Sequence, residues 1–511
     1  MNSEISKSDK IRFLSDNLKS YLSLFLFLSI IYFMSISLQS CEQDFVNSSG
    51  NNSGFPDEIQ AIFNEPYSTS NITCTTPSCH ASENPAENLD LTSWQNTLNG
   101  SENGTMVIPY NGFWSHMISV LNSDTLIAPV TTVSLTEYHK IGSDKVGTIM
   151  NWINSGAASK EGQIAFSDYS NNLKCLITNQ AADVVAVLKT DNMQVTRLVP
   201  VGGRSNQLDA PHYVNLSPDS RYFYVSLIQE GYVEKYDVSN YAEVGRMQAG
   251  SSPAHIEITP DGNYGFVTNF ESTGSVTTTT KFNATNMTVT DIFSEVRMKG
   301  PHGMALTNDG NTLFVASEIG EYIFKIDANH FYASDTTYEK APIDPSVPPS
   351  GNGTSNFRPY QIVLSPDQNY LYISCRGANQ IRIYNAADLQ QVNAINLGTG
   401  AFPLLMKFTD NGQYLFVCNR NNNTVSVINT STQSIVTTIT DVGIQPHGVD
   451  FSQDGQYAII ACETQSGFNG HHPQVGSQKI GVTRLIKMSN FELTDKRIEM
   501  GSFPAGIISI H

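Results

Sequence analysis

The stretch "CTTPSCH", Cys74 to His80, is where residue type and spacing in this chain come closest to a defined chemistry. Two thiols flank four residues, and an imidazole follows the second thiol directly. Such a set can hold haem c, although the usual haem site has only two residues between its cysteines. It can also be a disulfide beside a bystander histidine, or part of a metal site. A chain of 511 residues does not need a disulfide framework. A zinc site would call for a second Cys or His pair nearby. A second group of imidazoles is spread along the C-terminal two thirds. His212, His302 and His447 each follow a recurring proline, and His471 and His472 stand together in "SGFNGHHPQVGSQ".

The elements around the cysteines read as helical. In "VGTIMNWINSGA", Val146, Ile149, Met150 and Ile153 recur at helical spacing, Ser143 can cap the start, and Gly156 can end the helix. Phe113, Met117 and Leu121 form a second stripe, with His116 expected at the surface or beside the site. No β repeat occurs between residues 58 and 160.

The order of a short helix, a cysteine pair with His, "LDL", and a terminal helix ending "WINSGA" resembles bacterial class I-type cytochrome c domains. The resemblance implies a small all-α haem domain over residues 58–160. It implies one covalent haem c, with Cys74 and Cys79 as thioether donors and His80 as proximal iron ligand. Pro77 stiffens the enlarged loop. The family's distal Met-Pro is absent: Ala128-Pro129 stands in that region. His139, just before the terminal helix, is the expected sixth ligand, with an open iron as the alternative.

From residue 161 the pattern changes. A unit of proline, five residues, Ser or Thr, and a turn recurs as "PHYVNLSPDS", "PAHIEITPDG", "PHGMALTNDG", "PYQIVLSPDQ", "PLLMKFTDNG" and "PHGVDFSQDG", and "PAGIISIH" ends the chain. Alternating apolar runs follow each turn, such as "YLYISC" and "YLFVCN". Asp-Gly and Asn-Gly suit tight hairpins. Each unit is therefore four short antiparallel strands, one propeller blade. The strand from Pro504 has no successors, and the run from Leu173 has no proline before it. Closing one on the other gives seven blades over 161–511 and removes free sheet edges. The strings "CLITNQAADVVAVL" and "YLFVCNRNNNTVSVINTSTQSIVTTI" resemble the YVTN-type propeller repeat of bacterial surface proteins. In this arrangement His212, His302 and His447 ring the mouth of the central channel. The long inserts at Ser346 and Ser466, the latter with His471 and His472, emerge on the same face.

The N-terminus has Lys7, Lys10, Arg12 and Lys19, then the uncharged run from Tyr21 to Leu38, then "LQSC". This is a signal-peptide pattern over residues 1–40, with an uncleaved membrane anchor as the alternative, and Cys41 resembles the lipidated cysteine of bacterial lipoproteins. Residues 41–57, rich in Ser, Asn and Gly, read as a flexible tether. Cys175, Cys375, Cys418 and Cys462 lie in apolar strand runs and read as buried small hydrophobes. A net charge of -18 argues against nucleic acid as a partner.

The expectation is a multidomain chain, an all-α cytochrome c domain followed by an all-β seven-bladed propeller. It is exported and lipid-anchored to the bacterial envelope, at the periplasm or cell surface. The expected role is electron transfer with an unidentified redox partner protein, the propeller serving as docking or ligand platform. The alternatives are a propeller oxidoreductase arranged like the cytochrome-type nitrite reductases, and a surface binding protein with a structural or sensory haem.

Overall fold

The computed structural model describes residues 53–511 except 68–70, 78, 82–83, 129, 132–138, 168, 271–276, 335, 349–350, 352 and 465–478. Cys41, His471 and His472 therefore lie outside the described residues. The chain divides into Met1–Asn52 and Ser53–His511, and the second unit is the one described. Among the described residues no helix is long and apolar enough to cross a membrane.

Seven four-stranded antiparallel sheets make the propeller. Six blades run in chain order from their innermost strands, which begin at Pro211, Pro253, Pro301, Pro359, Pro403 and Pro446. The remaining blade is composite. Its innermost strand is Pro504–Ser509, paired with Lys174–Asn179. The ladder runs Cys175↔Ser509, Leu176↔Ile508 and Ile177↔Ile507, so the two ends of the propeller share one sheet. This is the closure the repeats call for.

The Ser/Thr of each repeat has a local task. In "SPDS" the Ser217 hydroxyl donates to Asp219 at 2.6 Å and accepts from the Tyr222 amide at 3.0 Å. Thr259–Asp261, Thr307–Asp309, Ser365–Asp367 and Ser452–Asp454 do the same. The side chains thereby stand in for backbone partners through the first hairpin. Second strands are almost wholly buried, as in "YLFVCN", whereas fourth strands such as Glu243–Gln248 are half exposed. The apolar core lies between blades: Phe416, Val427, Phe451 and Ile460 come from two neighbouring sheets and form one cluster. Cys175, Cys375, Cys418 and Cys462 are fully buried there, as expected.

The innermost strands approach closely around the axis. A Cβ on Gly448 would lie 2.3 Å from the Ala505 carbonyl, and one on Gly506 would lie 2.7 Å from the His212 carbonyl. The glycines of "PHG" and "PAG" are therefore required by backbone contact across blade boundaries.

Among the described residues four α-helices precede the propeller: Asp57–Phe63 (α1), Trp94–Thr97 (α2), His116–Leu121 (α3) and Ser143–Asn154 (α4). Ile59, Phe63, Trp94, Ile118, Val146 and Ile153 share a core of their own. Three local expectations change. Gly142, not Ser143, is the residue before the first turn of α4, and no side chain caps it. Phe113 lies outside α3 and is exposed, because the helix starts only at His116. His116 is buried, 3.9 Å from Glu499, because this segment is seated on the propeller. Thr105 Oγ1 accepts from the Val195 amide at 2.5 Å, Gln194 donates to the Asn99 carbonyl at 2.9 Å, and Arg197 lies 3.9 Å over the Tyr110 ring. The helical segment and the first blade thus belong to one compact unit.

Replacing Gly448 by Val should cost about 1–3 kcal/mol through overpacking against the closing strand. A lowered thermal midpoint with unchanged far-UV circular dichroism at low temperature checks this. A midpoint equal to wild type would mean that the innermost strands can move apart freely.

Candidate functional site

The cysteine loop is folded by its own backbone. The Cys74 amide donates to the Phe63 carbonyl at 3.1 Å, which hangs the loop from the end of α1. Thr73 and Thr76 close the turn between them, and the Cys79 amide donates to Thr76 O at 2.8 Å. The His80 amide returns to the Cys74 carbonyl at 3.1 Å. Extra loop length is absorbed in this turn, so both thiols and the imidazole stay together at one pocket. Both cysteines are free thiols.

His80 Nδ1 lies 3.2 Å from the Leu89 carbonyl. A carbonyl only accepts, so Nδ1 carries the proton and Nε2 keeps its lone pair. Burial first, and the nearby His139 second, hold the His80 imidazole below its ordinary pKa, which keeps it neutral at pH 7. Burial, then Cys79, pushes the Cys74 thiol up. His139 faces His80 with ring centroids 6.0 Å apart. Its place is fixed by the next residue: Lys140 Nζ donates to the Val120 and Asn122 carbonyls at 2.9 and 2.7 Å, tying the chain to the end of α3. A cavity of about 470 Å³ opens between these groups, lined by Ile62, Tyr67, Ile72 and Ile141 as well as Cys74, Cys79, His80 and His139. That size lies within the range of small-molecule pockets. Among the described residues no group of three or more His, Cys, Asp or Glu is arranged around a metal position.

The structure also brings together His212, His302 and His447, as the repeat pattern requires, but it buries them in the channel instead of ringing its mouth. His255 joins them and was not singled out from sequence. Ring centroids are 5.3 Å apart for His212–His302, 5.7 Å for His212–His447 and 4.9 Å for His255–His302. Two repeat columns build this cluster. One is the residue after the innermost-strand proline, which gives His212, His302, Tyr360 and His447. The other is the residue just after the second strand, which gives Gln180, Phe270, Glu318, Arg376, Arg420 and Glu463. That second column was legible as "CNR", "SCR", "ASE" and "ACE" had the repeats been stacked. His255 stands one position further along its strand than the others, which hid it.

Contacts between the columns are specific. His447 Nδ1 is 2.9 Å from Glu463 Oε1, and its Nε2 is 3.2 Å from the Tyr360 hydroxyl. Arg420 grips Glu463 with two bonds of 2.7 and 2.6 Å. Arg376 and Arg358 both engage Glu318, the latter at 2.6 Å. Burial alone would raise the Glu463 pKa, but the bonds from His447 and Arg420 outweigh it and hold the carboxyl below its ordinary range.

The profile of the family described as lactonase, 7-bladed beta-propeller, matches residues 174–302 and 289–445, more than half of the chain. The protein belongs to this lactonase propeller family. The seven-bladed fold read from the repeats therefore holds. The matched residues begin after the helical segment. A 6-phosphogluconolactonase from Cronobacter sakazakii is 22% identical over 305 residues, covering 56% of this chain and 86% of the relative. Two solved structures share the fold at a TM-score of 0.52, each covering 66% of this chain and 99% of its own. They are a periplasmic gluconolactonase of Pseudomonas aeruginosa, 16% identical, and a functionally unknown protein from Desulfotomaculum acetoxidans, 13% identical.

Glu463→Gln should destabilise the propeller by about 3–5 kcal/mol, because it leaves Arg420 and His447 without their buried anion. The sign of the pH dependence follows from the depressed folded-state pKa. Wild-type stability from this group is complete above the ordinary carboxyl value of 4.5 and is lost as pH falls through the lower folded value. Chemical denaturation between pH 3 and 7 checks both points, and Glu463→Gln should show a flatter acid limb than wild type.

Proposed function

We propose that this protein is an exported, lipid-anchored monohaem c-type cytochrome that transfers electrons, with its lactonase-family propeller as docking or ligand platform. The single observation that carries the reading is the placement of Cys74, Cys79, His80 and His139 around one apolar-walled cavity. The His80 Nδ1–H donates to the Leu89 carbonyl, the usual support for a metal-binding imidazole. The His80 and His139 rings face each other with centroids 6.0 Å apart. The donor set and the cavity fit haem c.

In this reading Cys74 and Cys79 would hold haem c covalently through their sulfurs. Bound haem supplies one-electron iron chemistry. His80 would ligate the iron, and His139 is the candidate for a second imidazole ligand, with an open iron as the alternative. Ile62, Ile72 and Ile141, which line the cavity, would keep water from the bound group. The Cys41 junction supplies the membrane anchor and a separate protein supplies or accepts the electron.

Expression in a host that attaches haem c, followed by denaturing electrophoresis and haem staining, tests the reading. Wild type should stain, Cys79→Ala should stain weakly or not at all, and His80→Ala should lose the normal spectrum. An unstained wild-type band overturns the proposal. His139→Ala should convert a six-coordinate spectrum to one that binds carbon monoxide rapidly; an unchanged spectrum removes His139 as ligand. Cys41→Ala should move the protein out of the membrane fraction.

A second reading is favoured by the Glu463–His447–Tyr360 chain beside Arg420 and Arg376, and by the lactonase names of the relatives. His447, oriented by a carboxylate, would take a proton from water as it attacks a lactone carbonyl. The ring ester C–O bond breaks and the proton returns to the leaving oxygen. The arginines would bind an anionic substituent. Hydrolysis of glucono-δ-lactone or its 6-phosphate above the spontaneous rate, abolished by His447→Ala, would support it. A rate equal to the uncatalysed one would reject it.

A further inference from the structure

Two arginines meet across the outer ladder of the blade that begins at Pro446. Arg484, on the strand Ile480–Lys487, stands directly opposite Arg497, on the strand Glu492–Ser502. Opposed residues of an antiparallel pair share one face of the sheet, and like charges placed so are destabilising. Arg484 is also buried, with 6% of its surface exposed. A buried guanidinium is ordinarily paired with a carboxylate, as Arg376 is with Glu318 and Arg420 with Glu463. Among the described residues Arg484 has no such partner. Its Nη2 donates to the Thr494 carbonyl at 2.8 Å, and its buried Nε bonds to nothing. Burial first, and Arg497 second, hold Arg484 below the ordinary arginine pKa.

Both arginines line a cavity of about 190 Å³ at the boundary with the blade that begins at Pro403. The backbone shapes its walls. The Thr464 amide donates to the Ile444 carbonyl at 3.1 Å. Gly443 has a φ of +147°, and a Cβ there would lie 2.6 Å from Cys462 Sγ and 3.3 Å from Arg484 Cγ. The stem of Arg484 is thus held close against the chain. Asn423 Oδ1 accepts from the Gln445 amide at 2.9 Å, which leaves Nδ2 as the donor end of that side chain. Ile444 and Val482 supply an apolar wall. Asp441 also lines the cavity, as an exposed residue at its rim. Asp495 acts on Arg484 from outside the lining. The lining therefore carries two positive charges and one negative. Residues 465–478, which follow Thr464, contain no Asp or Glu that could balance the pair.

We infer that this cavity binds a small organic monocarboxylate, its oxygens between the Arg484 and Arg497 guanidiniums and its carbon body against Ile444 and Val482. The planar fork of arginine matches a carboxylate. One excess positive charge matches a monoanion. A volume of 190 Å³ lies below the range of about 300–1,000 Å³ that suits drug-sized ligands, so the anion is small. The site stands apart from the haem and lactone readings, because it uses neither the cysteine pocket nor His447.

The test uses the full exported chain in chloride buffer at pH 7 and fixed ionic strength. Sodium butyrate replaces chloride stepwise while the thermal midpoint and the calorimetric heat of binding are recorded. Sodium phosphate at the same ionic strength is the comparison. Wild type should show a saturable rise in midpoint with butyrate. Arg497→Gln, a change at an exposed residue, should weaken butyrate binding by about 10-fold or more without lowering the midpoint in chloride, because it also removes the opposed charge. Arg484→Met should abolish the saturable shift; if that variant does not fold, Arg497→Gln carries the test alone. No saturable shift in wild type overturns the proposal. A shift that persists unchanged in Arg497→Gln also overturns it, because the anion then binds elsewhere. Saturable binding of phosphate without binding of butyrate overturns the carboxylate class.

Discussion

The ladder between Pro504–Ser509 and Lys174–Asn179 is the constraint on which the rest of the structure depends. It joins the last residues of the chain to the first strand of the propeller. With it, every blade has a neighbour on both sides and each interblade cluster is covered. Without it, the edge of Lys174–Asn179 would offer unpaired backbone groups to solvent or to another chain. The Thr178 hydroxyl strengthens the seam from the side, accepting from the Gly506 amide at 2.8 Å and bonding to the His212 carbonyl at 3.1 Å. Closure also fixes the channel radius, and the missing side chains at Gly448 and Gly506 let the backbones meet.

Channel chemistry is a consequence of that geometry. Seven innermost strands converge, so residues one repeat apart in sequence become neighbours in space. Imidazoles 90 residues apart, His212 and His302, come within hydrogen-bond distance. Charges at the same level are balanced locally. Glu318 faces Arg358 and Arg376, and Glu463 faces Arg420 and His447, so each buried carboxylate has charged or imidazole partners. Breaking one partner of such a set is costly, whereas the intact set adds little to stability. Its value lies in holding polar groups in fixed orientations.

The helical segment reaches its shape by a different route. Its core is small, from Phe55 to Ala165, and it rests on the first blade through Thr105, Tyr110 and Asn99. The pocket with Cys74, Cys79 and His80 is framed by elements far apart in sequence: the end of α1, the Leu89 carbonyl, and the His139–Lys140 stretch pinned to α3. The chain therefore joins a cysteine-histidine pocket and a lactonase-family propeller in one compact unit.

Much of this was written in the residues. The proline-to-turn repeat, with its Ser/Thr two positions before an Asp in five copies and before an Asn in one, specifies hairpins through local hydrogen bonds, and the strand from Pro504 with no successors, set against a first run with no proline before it, specifies closure. The cysteine motif specified its own loop, because its bonds are nearly all between residues within a dozen positions. Other features came only from tertiary structure. His116 and Phe113 exchanged their expected environments, because the propeller surface, not helix periodicity, decides what is covered there. The approach of His139 to His80 depends on a lysine bonded to carbonyls 18 and 20 residues earlier. His255 is buried against the Tyr213 ring at 4.1 Å, a contact between neighbouring blades that no single repeat shows. Local bonding patterns are legible in order along a chain; the environment of a side chain is set by what folds against it.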